Sequence, residues 1–242
     1  MTASGVTITG VRKRFGRLEA LRGIDVMVAP GRITAIVGPN AAGKSTLIKM
    51  ILGLVKRDPG DGSITVDGVT LNGGPEYRER VGYMPQAARF PEHLSGREII
   101  GLLADLRGNP SGLDEELLDL FRLRASLDQP VRVLSGGTRQ KLNAVVAFLF
   151  RPSLVILDEP TAGLDLVASA ILKDKVLRTS AAGGTVLLTG HIMSEIEELA
   201  QDIVFMVDGV VSYQGTVERL ITESGERRLE RAIARLLDGA KR

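Results

Sequence analysis

The sequence predicts an α/β fold built on a mostly parallel sheet, and three features lead to that prediction. Two almost continuously apolar runs, 154–157 and 185–189, are typical of strands buried on both faces. Segments with apolar residues at helical spacing lie between such runs. A glycine-rich loop over 38–45 joins a strand-like run to a helix-like segment. Buried strands that alternate with helices indicate a covered, parallel sheet.

The first half and the end of the chain supply the other elements of this sheet domain. Alternation of apolar with charged residues predicts half-exposed strands, and Asp-Gly pairs between two strands predict tight turns. The elements predicted in this way are a half-exposed strand around 24–28, a buried strand at 32–37, a helix at 44–52, and two hairpins at 64–71 and 203–213.

The middle of the chain, about 87–150, is predicted to be helical only. Ser95 and Glu98 form a capping-box pattern that opens a helix over 95–107. Further amphipathic helices are predicted over 114–123 and 136–150. This section is either a separate subdomain or a long insertion into the sheet domain.

Composition excludes several classes of protein. The chain has 31 Lys and Arg against 29 Asp and Glu, so nucleic-acid binding through bulk charge is not expected. It has no cysteine and only two histidines, which excludes disulfides and argues against a transition-metal centre. No signal-peptide pattern is visible, and no apolar run approaches the ~20 residues of a membrane span. We therefore expect an intracellular chain.

A phosphate-binding loop is predicted directly after the strand at 32–37, where the sequence fits G-x-x-x-x-G-K-[ST]. Its residues are Gly38, Pro39, Asn40, Ala41, Ala42, Gly43, Lys44 and Ser45, and Thr46 follows. Glycines let backbone N–H groups turn toward phosphate oxygens, and Lys44 adds positive charge to the β- and γ-phosphates. The Ser45 hydroxyl can reach Mg²⁺, and the helix from Lys44 offers its positive end to the same anion.

Two acids end the buried strand at 154–157, and they are candidates for metal binding and catalysis. Strand ends of this kind face the ligand crevice of an open α/β sheet. Asp158 can hold Mg²⁺ through its water shell, and Glu159 can polarise an attacking water.

The segment Leu134-Ser135-Gly136-Gly137-Thr138-Arg139-Gln140 resembles the LSGGxRQ signature of ABC-type ATPases. It lies between the phosphate-binding loop and the Asp-Glu strand, in the family's order, and the resemblance covers about 6–215. The resemblance implies a P-loop NTPase fold of the ABC ATPase type, with an antiparallel β-subdomain and an inserted helical subdomain at about 87–150. Residues 1–215 would form this domain and 216–242 a helical tail. ATP and Mg²⁺ are the implied cofactors.

The resemblance also implies roles for four single residues. Phe15 lies where the family places an aromatic side chain that stacks on adenine, although a core position is the alternative. Gln86 matches the glutamine that reads Mg²⁺ and the γ-phosphate. Asp165 matches an aspartate at a dimer interface, and His191 matches a histidine that contacts the γ-phosphate. Glu159, Gln86 and His191 are therefore the expected catalytic residues.

In this family the signature segment acts on a nucleotide held by a second copy. The resemblance implies that Ser135, Gly136 and Gly137 approach the γ-phosphate of the other protomer, in a head-to-tail dimer of ATPase subunits. Two positions depart from the family pattern, since Ala41 replaces a usual glycine and Leu166 stands where proline often follows.

The C-terminal tail has an amphipathic pattern. Leu229, Ala232 and Ile233 fall on one helical face, with arginines around them. Three interpretations stay open, namely docking on the chain's own domain, contact with a dimer mate or another partner, and contact with a membrane surface.

Two function classes follow from the resemblance. The first is the ATPase subunit of a transporter, peripheral on the inner face of the cell membrane, with integral membrane permease subunits as partners and no nucleic acid. The second is a soluble ATPase that acts on the ribosome or DNA, a class that usually carries two cassettes in one chain or a long coiled-coil insertion. The sequence has one phosphate-binding loop, one signature segment and only 47 residues between Gln86 and Leu134, so the transporter class is favoured. Three segments, at 134–150, 158–175 and 225–237, are also similar to copper-related cassettes encoded beside nitrous-oxide-reductase maturation genes.

Overall fold

The structure is a computed structural model, and it describes residues 5–58, 60, 62–71, 74 and 76–240. Residues 1–4, 59, 61, 72, 73 and 75 of the predicted range 1–215, and residues 241–242 of the range 216–242, therefore lie outside the described residues. The strands are β1 (Val6–Phe15), β2 (Leu18–Val28), β3 (Ile33–Val37), β4 (Ser63–Val66), β5 (Val69–Thr70), β6 (Val81–Met84), β7 (Leu154–Asp158), β8 (Thr185–Thr189), β9 (Asp202–Val207) and β10 (Val210–Thr216). The helices are α1 (Lys44–Ile51), α2 (Gly96–Leu106), α3 (Glu116–Leu120), α4 (Gly136–Phe148), α5 (Leu166–Ala181), α6 (Met193–Leu199), α7 (Val217–Ser224) and α8 (Leu229–Ala240).

The strands of the described residues form two sheets. The larger has the order β10-β9-β3-β8-β7-β6, and all its neighbours pair in parallel except β10, which pairs antiparallel with β9. The smaller is antiparallel, with the order β2-β1-β4-β5. This arrangement confirms the predicted α/β fold with a mostly parallel sheet and an additional antiparallel sheet.

The large sheet is buried on both faces because an apolar layer covers each of them, and successive side chains of its strands point into the two layers in turn. Ile36, Ile156 and Leu187 belong to an apolar layer that also contains α1 and the inner face of the small sheet. Ala35, Val155 and Leu188 belong to a second layer with α4, α5, α6 and α8. Burial on two faces explains why the runs in β7 and β8 lack the alternation of a half-exposed strand.

The carboxyl ends of four neighbouring strands lie level at one edge of the large sheet. Thr189 at the end of β8 pairs with Ile36 of β3 on one side and with Asp158 of β7 on the other. Leu157 in turn pairs with Met84, the last residue of β6. The loops that follow β3, β6, β7 and β8 therefore emerge side by side, which is where open α/β sheets bind ligands.

The section from residue 87 to residue 150 has helices and short 3₁₀ turns but no strand, as predicted. Ser95 caps α2, and the reciprocal hydrogen bonds with Glu98 of the predicted capping box are present. The predicted helix over 114–123 is wrong in length, since α3 covers only Glu116–Leu120. Arg122 has a left-handed backbone with φ 54°, which ends the helix and turns the chain into a 3₁₀ segment.

The apolar pattern of the sequence did not predict four elements, namely β1, β6, α5 and α6. The single residues Phe15, Gln86, Asp165 and His191, which were assigned by resemblance, lie at or near their ends. The strand β1 precedes the first predicted strand and pairs with both β2 and β4.

The C-terminal tail forms two helices, α7 and α8, rather than one. Leu229, Ala232 and Ile233 are buried in the same apolar layer as α6, so the tail docks on its own domain. Of the three open interpretations, this contact confirms the first. In the described part of the chain we find no helix with the length and apolar character needed to cross a bilayer.

An ion cluster around the buried Lys175 fastens α5 to the start of α3. Lys175 is only 8% exposed, and its ammonium donates to Asp114 at 2.6 Å and to Glu116 at 2.7 Å. Arg178 donates to the second oxygen of Glu116. These hydrogen bonds, first that from Lys175, hold the pKa of Glu116 below its ordinary value.

We predict that Glu116→Gln lowers the thermal midpoint at pH 7 by about 2–4 °C, which corresponds to about 1 kcal/mol after solvent screening. A lowered pKa means that the ionised carboxylate stabilises the fold at neutral pH. This contribution is lost as pH falls through the lowered pKa, so the two proteins should converge in acid. Thermal melts across pH test this, with Glu223→Gln as control because its ion pair with Arg219 is exposed. Equal melting shifts in both variants would contradict the prediction.

Candidate functional site

The phosphate-binding loop turns tightly between β3 and α1, and neither of its two glycines has room for a side chain. A Cβ on Gly38, whose φ is 151°, would lie 2.0 Å from the carbonyl oxygen of Met206. A Cβ on Gly43, whose φ is 99°, would lie 2.7 Å from the carbonyl oxygen of Ala20. Gly43 is also the residue before α1, so the free N–H groups of the first helical turn face the loop. This is the geometry of an anion site.

Lys44 is the first residue of α1, and its ammonium lies inside the curve of the loop. It donates to the carbonyl oxygens of Gly38 at 2.6 Å and Pro39 at 2.9 Å. Burial lowers the pKa of Lys44, and the nearby carboxylates of Glu159 and Asp158 oppose that shift. A cation is therefore held against the bend of the loop, next to two acids.

Ala41 occupies the turn position where the sequence departs from glycine. Its φ is 64°, in the left-handed region that costs a residue with a Cβ about 1–2 kcal/mol. The loop keeps its shape despite this cost, so the alanine is accommodated but strained.

Two acids lie at the end of β7, and a threonine on the neighbouring strand holds the side chain of the first and the backbone of the second. The hydroxyl of Thr189 donates to Asp158 Oδ1 at 2.5 Å and accepts from the backbone N–H of Glu159 at 3.2 Å. Glu159 has a left-handed backbone with φ 50°, which turns its side chain away from the strand direction. Thr189 is buried, and no sequence motif had singled it out. Its signal was a polar residue that ends an apolar strand two positions before His191.

The carboxylate of Glu159 is the meeting point of the three predicted catalytic residues. The side-chain amide of Gln86 donates to Glu159 Oε2 at 2.9 Å. His191 Nδ1 lies 3.3 Å from the same oxygen. Gln86 follows β6 and His191 follows β8, so the level strand ends bring these side chains to the acid between them.

One cavity of about 510 Å³ joins the loop to the acids. Most of the predicted nucleotide-site residues line it, namely Phe15, Asn40, Ala41, Ala42, Gly43, Lys44, Ser45, Thr46, Gln86, Asp158 and Glu159. Phe15 ends β1 and is 48% exposed, with the Lys13 ammonium 5.4 Å from its ring centre. The core alternative for Phe15 is therefore wrong, and its ring is available to stack on a planar group.

The signature segment lies apart from this cavity. Ser135 caps α4 by accepting from the Thr138 N–H at 3.1 Å, and both Ser135 and Gly136 are exposed. A Cβ on Gly137 would meet the carbonyl oxygen of Gly163 at 3.4 Å. Within the described residues, none of Ser135, Gly136, Gly137 and Asp165 lines the cavity.

An ion pair joins the signature helix to the loop before α5. Lys141 donates to Asp165 at 2.8 Å, and Asp165 also caps α5 by accepting from the Ala168 N–H. The hydrogen bond from Lys141 is the first cause of the lowered pKa of Asp165. The signature segment and the loop before α5, neither of which lines the cavity, are thus held together at one exposed surface.

The oxygen-bearing side chains at the cavity fit a hard divalent cation. The Ser45 hydroxyl, the Gln86 amide and the Asp158 carboxylate supply oxygen donors and line the same cavity. The part of the chain that the structure describes has no group of three or more His, Cys, Asp or Glu residues arranged to hold a metal alone. Mg²⁺ suits such a site because it is usually held by one or two carboxylates together with substrate phosphates.

Comparison with known proteins agrees with this geometry. The sequence pattern of the ABC transporter family matches residues 21–162. The daunorubicin resistance ATP-binding protein DrrA3 of Streptomyces coeruleorubidus is 34% identical over 95% of this chain and 74% of that protein. The Nod factor export ATP-binding protein I of Ralstonia nicotianae is 32% identical over 90% of this chain and 68% of that protein.

Solved structures show the same likeness. One described as the ATP-binding subunit of an ABC transporter has a TM-score of 0.89 and 30% identity, covering 96% of this chain and 99% of that chain. An ATP-binding cassette described as dimeric, in a post-hydrolysis state with ADP and Pi, shares the fold with a TM-score of 0.76 and 22% identity, covering 87% of this chain and 98% of that chain.

We predict that Ala41→Gly stabilises the protein by about 1 kcal/mol, because glycine adopts the left-handed backbone without the Cβ clash. The thermal midpoint should rise by about 2–4 °C. The adjacent Ala42→Gly is the matched control, since Ala42 is buried without a left-handed backbone and its loss should lower the midpoint. A midpoint that falls in both variants would show that the backbone at residue 41 is not strained.

Proposed function

Because this chain belongs to the ABC transporter family, whose ATP-binding subunits hydrolyse ATP, we propose that it drives transport through membrane-spanning subunits that are separate chains. The observation that carries the proposal is the level edge of β3, β8, β7 and β6. It gathers a phosphate-binding loop, two acids and a glutamine around one cavity, with a histidine against the second acid. Those are the parts that ATP hydrolysis needs.

ATP binding is the first step that these residues support. The backbone N–H groups around Gly43 and the ammonium of Lys44 would hold the phosphates. The exposed ring of Phe15 would stack on the adenine at the other end of the same cavity.

We propose that Mg²⁺ joins the site through Ser45 and Asp158, with Gln86 near it. When bound, the ion would neutralise charge on the phosphates. Thr189 holds the Asp158 carboxylate in place by its hydroxyl, so the ligand is oriented before the ion arrives.

Glu159 is proposed as the group that polarises the attacking water. Its carboxylate accepts from Gln86 and lies against His191, so both neighbours can orient it and can contact the γ-phosphate. A single copy of the chain would not assemble the whole site, because its own signature segment does not line this cavity.

We propose that a second copy completes the site. Ser135, Gly136 and Gly137 are at the exposed N-terminal end of α4, where the helix offers N–H donors to an anion. In a head-to-tail dimer this end would meet the γ-phosphate held by the partner, with Asp165 beside it. The shared fold of a cassette that is described as dimeric supports this arrangement.

Export is the direction that we propose for transport, because the relatives are named for daunorubicin resistance and Nod factor export. The copper-related specialisation rests on three similar sequence segments and has no support in the names of these relatives. The alternative of a ribosome- or DNA-associated ATPase is not favoured. The chain would lie at the inner face of the membrane through its permease partners.

We predict that Glu159→Gln lowers ATP turnover at least 100-fold, because removal of a general base costs about 10²–10⁴ in rate. Nucleotide affinity should stay within about twofold, since the amide keeps the size of the side chain. Turnover and binding of a fluorescent ATP analogue test this. Lys44→Ala is the control, because it removes the ammonium that would hold the phosphates and should therefore weaken nucleotide binding. Full turnover in Glu159→Gln would remove Glu159 as the base.

The same variant tests the transport assignment. Glu159→Gln should hold ATP and form a stable complex, so we would isolate it from detergent-solubilised membranes with and without Mg-ATP. A polytopic membrane protein that raises the ATP turnover of the unmodified chain on reconstitution would support the proposal. Recovery of ribosomal or DNA-repair components without such a protein would contradict it.

We predict that Ser135→Arg blocks ATP-dependent dimerisation of the Glu159→Gln protein while ATP binding to the monomer is retained. The arginine would fill the space that a partner's γ-phosphate needs. Ser135→Ala is the control, because it also loses the helix cap, which is worth about 1 kcal/mol, but adds no bulk. Sedimentation with ATP measures the dimer, and an unchanged dimer in Ser135→Arg would refute the shared site.

A further inference from the structure

Two buried amides on α4 face the loop that carries Gln86. Asn143 is 2% exposed and Gln140 is 6% exposed, on the helix that begins at the signature segment. Asn143 Nδ2 donates to the carbonyl oxygen of Pro85 at 2.8 Å and to Gln140 Oε1 at 3.3 Å. Gln140 Nε2 in turn points at the carbonyl oxygen of Gln86 at 3.5 Å.

The chemistry of these groups allows one orientation of the amides. The Pro85 carbonyl can only accept, so Asn143 must direct its NH₂ group toward it. Gln140 then presents its oxygen to Asn143 and its NH₂ group to the Gln86 carbonyl. Proline has no N–H to continue the ladder of β6, which ends at Met84. Beyond that point, side chains of α4 donate to the carbonyl oxygens of Pro85 and Gln86.

The backbone at Pro85 and Gln86 is thereby held by α4, whereas the side chain of Gln86 reaches Glu159. Gln86 donates to Glu159 Oε2 at 2.9 Å. Its position relative to that carboxylate depends on where α4 holds residues 85 and 86. Asn143 is seven residues from Gly136, which is about 10 Å along the helix axis. A shift at the signature end of α4 would therefore move the Gln86 loop with it.

We propose that Asn143 is a positioning residue for ATP hydrolysis, which ties the Gln86 loop to the signature helix and so sets the approach of Gln86 to Glu159. The inference rests on the proposed function, because it requires that Gln86 acts in turnover. The competing view is that Asn143 only satisfies a buried carbonyl. In that case its loss would lower stability as the loss of any comparable hydrogen bond does.

Turnover separates the two views. We would measure kcat, KM and nucleotide affinity of the full chain carrying Asn143→Ala or Asn143→Asp, below the midpoint of thermal unfolding of each variant. Asn143→Asp keeps the shape but places an acceptor against the Pro85 carbonyl, so lost volume cannot explain its effect. We expect kcat to fall about tenfold in both variants, as for a barrier raised by the loss of one aligned contact, with affinity within about twofold.

The matched control is Ser180→Ala. Ser180 is 8% exposed and its hydroxyl donates to the carbonyl oxygen of Gly31 at 3.0 Å, far from the strand ends, so it removes a similar bond without touching the Gln86 loop. Its kcat should stay unchanged. If kcat falls no further in the Asn143 variants than in Ser180→Ala, or if kcat and nucleotide affinity fall together, the proposal is overturned.

A double-mutant cycle with Gln86→Ala tests the route of the effect. Since Asn143 acts through Gln86, Asn143→Ala should cost nothing more in kcat once Gln86 is alanine. Independent, multiplying losses would overturn the proposal. If Gln86→Ala alone keeps full turnover, the proposed role of Gln86 fails and the inference fails with it. If Gln86→Ala is slow but the Asn143 variants are not, the inference alone fails.

Discussion

The register of the parallel strands is the constraint on which the site depends. Thr189 is paired between Ile36 and Asp158, and this one row of pairings sets the heights of the phosphate-binding loop and of the acids. A slip of one residue in β8 would reverse which side chains face each apolar layer, so burial on both faces enforces the register. The chemistry at the sheet edge is therefore positioned by hydrophobic packing well below it.

The helix α4 carries that positioning to the exposed surface. It is tied to the Gln86 loop by Asn143 and to the loop before α5 by Lys141. The Thr161 hydroxyl adds a further tie, since it donates to Glu195 of α6 at 2.7 Å, close to His191. The loops that follow β6 and β7 are thus attached to helices by polar contacts. Such attachments let a change at one loop reach the others.

The sequence predicted the fold class and the cavity residues because both leave local signals. Buried strands leave unbroken apolar runs, and a phosphate-binding loop leaves glycines where no Cβ fits, as at Gly38. Asn143 left no such signal and Thr189 left only a polar residue at the end of an apolar strand, since their importance arises from partners 58 and 31 residues away. The end of α3 was missed because an arginine at φ 54° is set by packing rather than by residue preference. The roles of the site residues stay predictions.

The left-handed backbone of Glu159 places two requirements in conflict at one position. Glycine would adopt φ 50° with less strain, yet it would remove the carboxylate to which Gln86 and His191 converge. Selection for thermostability alone would therefore drift toward replacing this residue, whereas selection for turnover would retain it. A library screened only for folding should enrich glycine at 159, and such enrichment would mark the position as one where function is kept at the expense of stability.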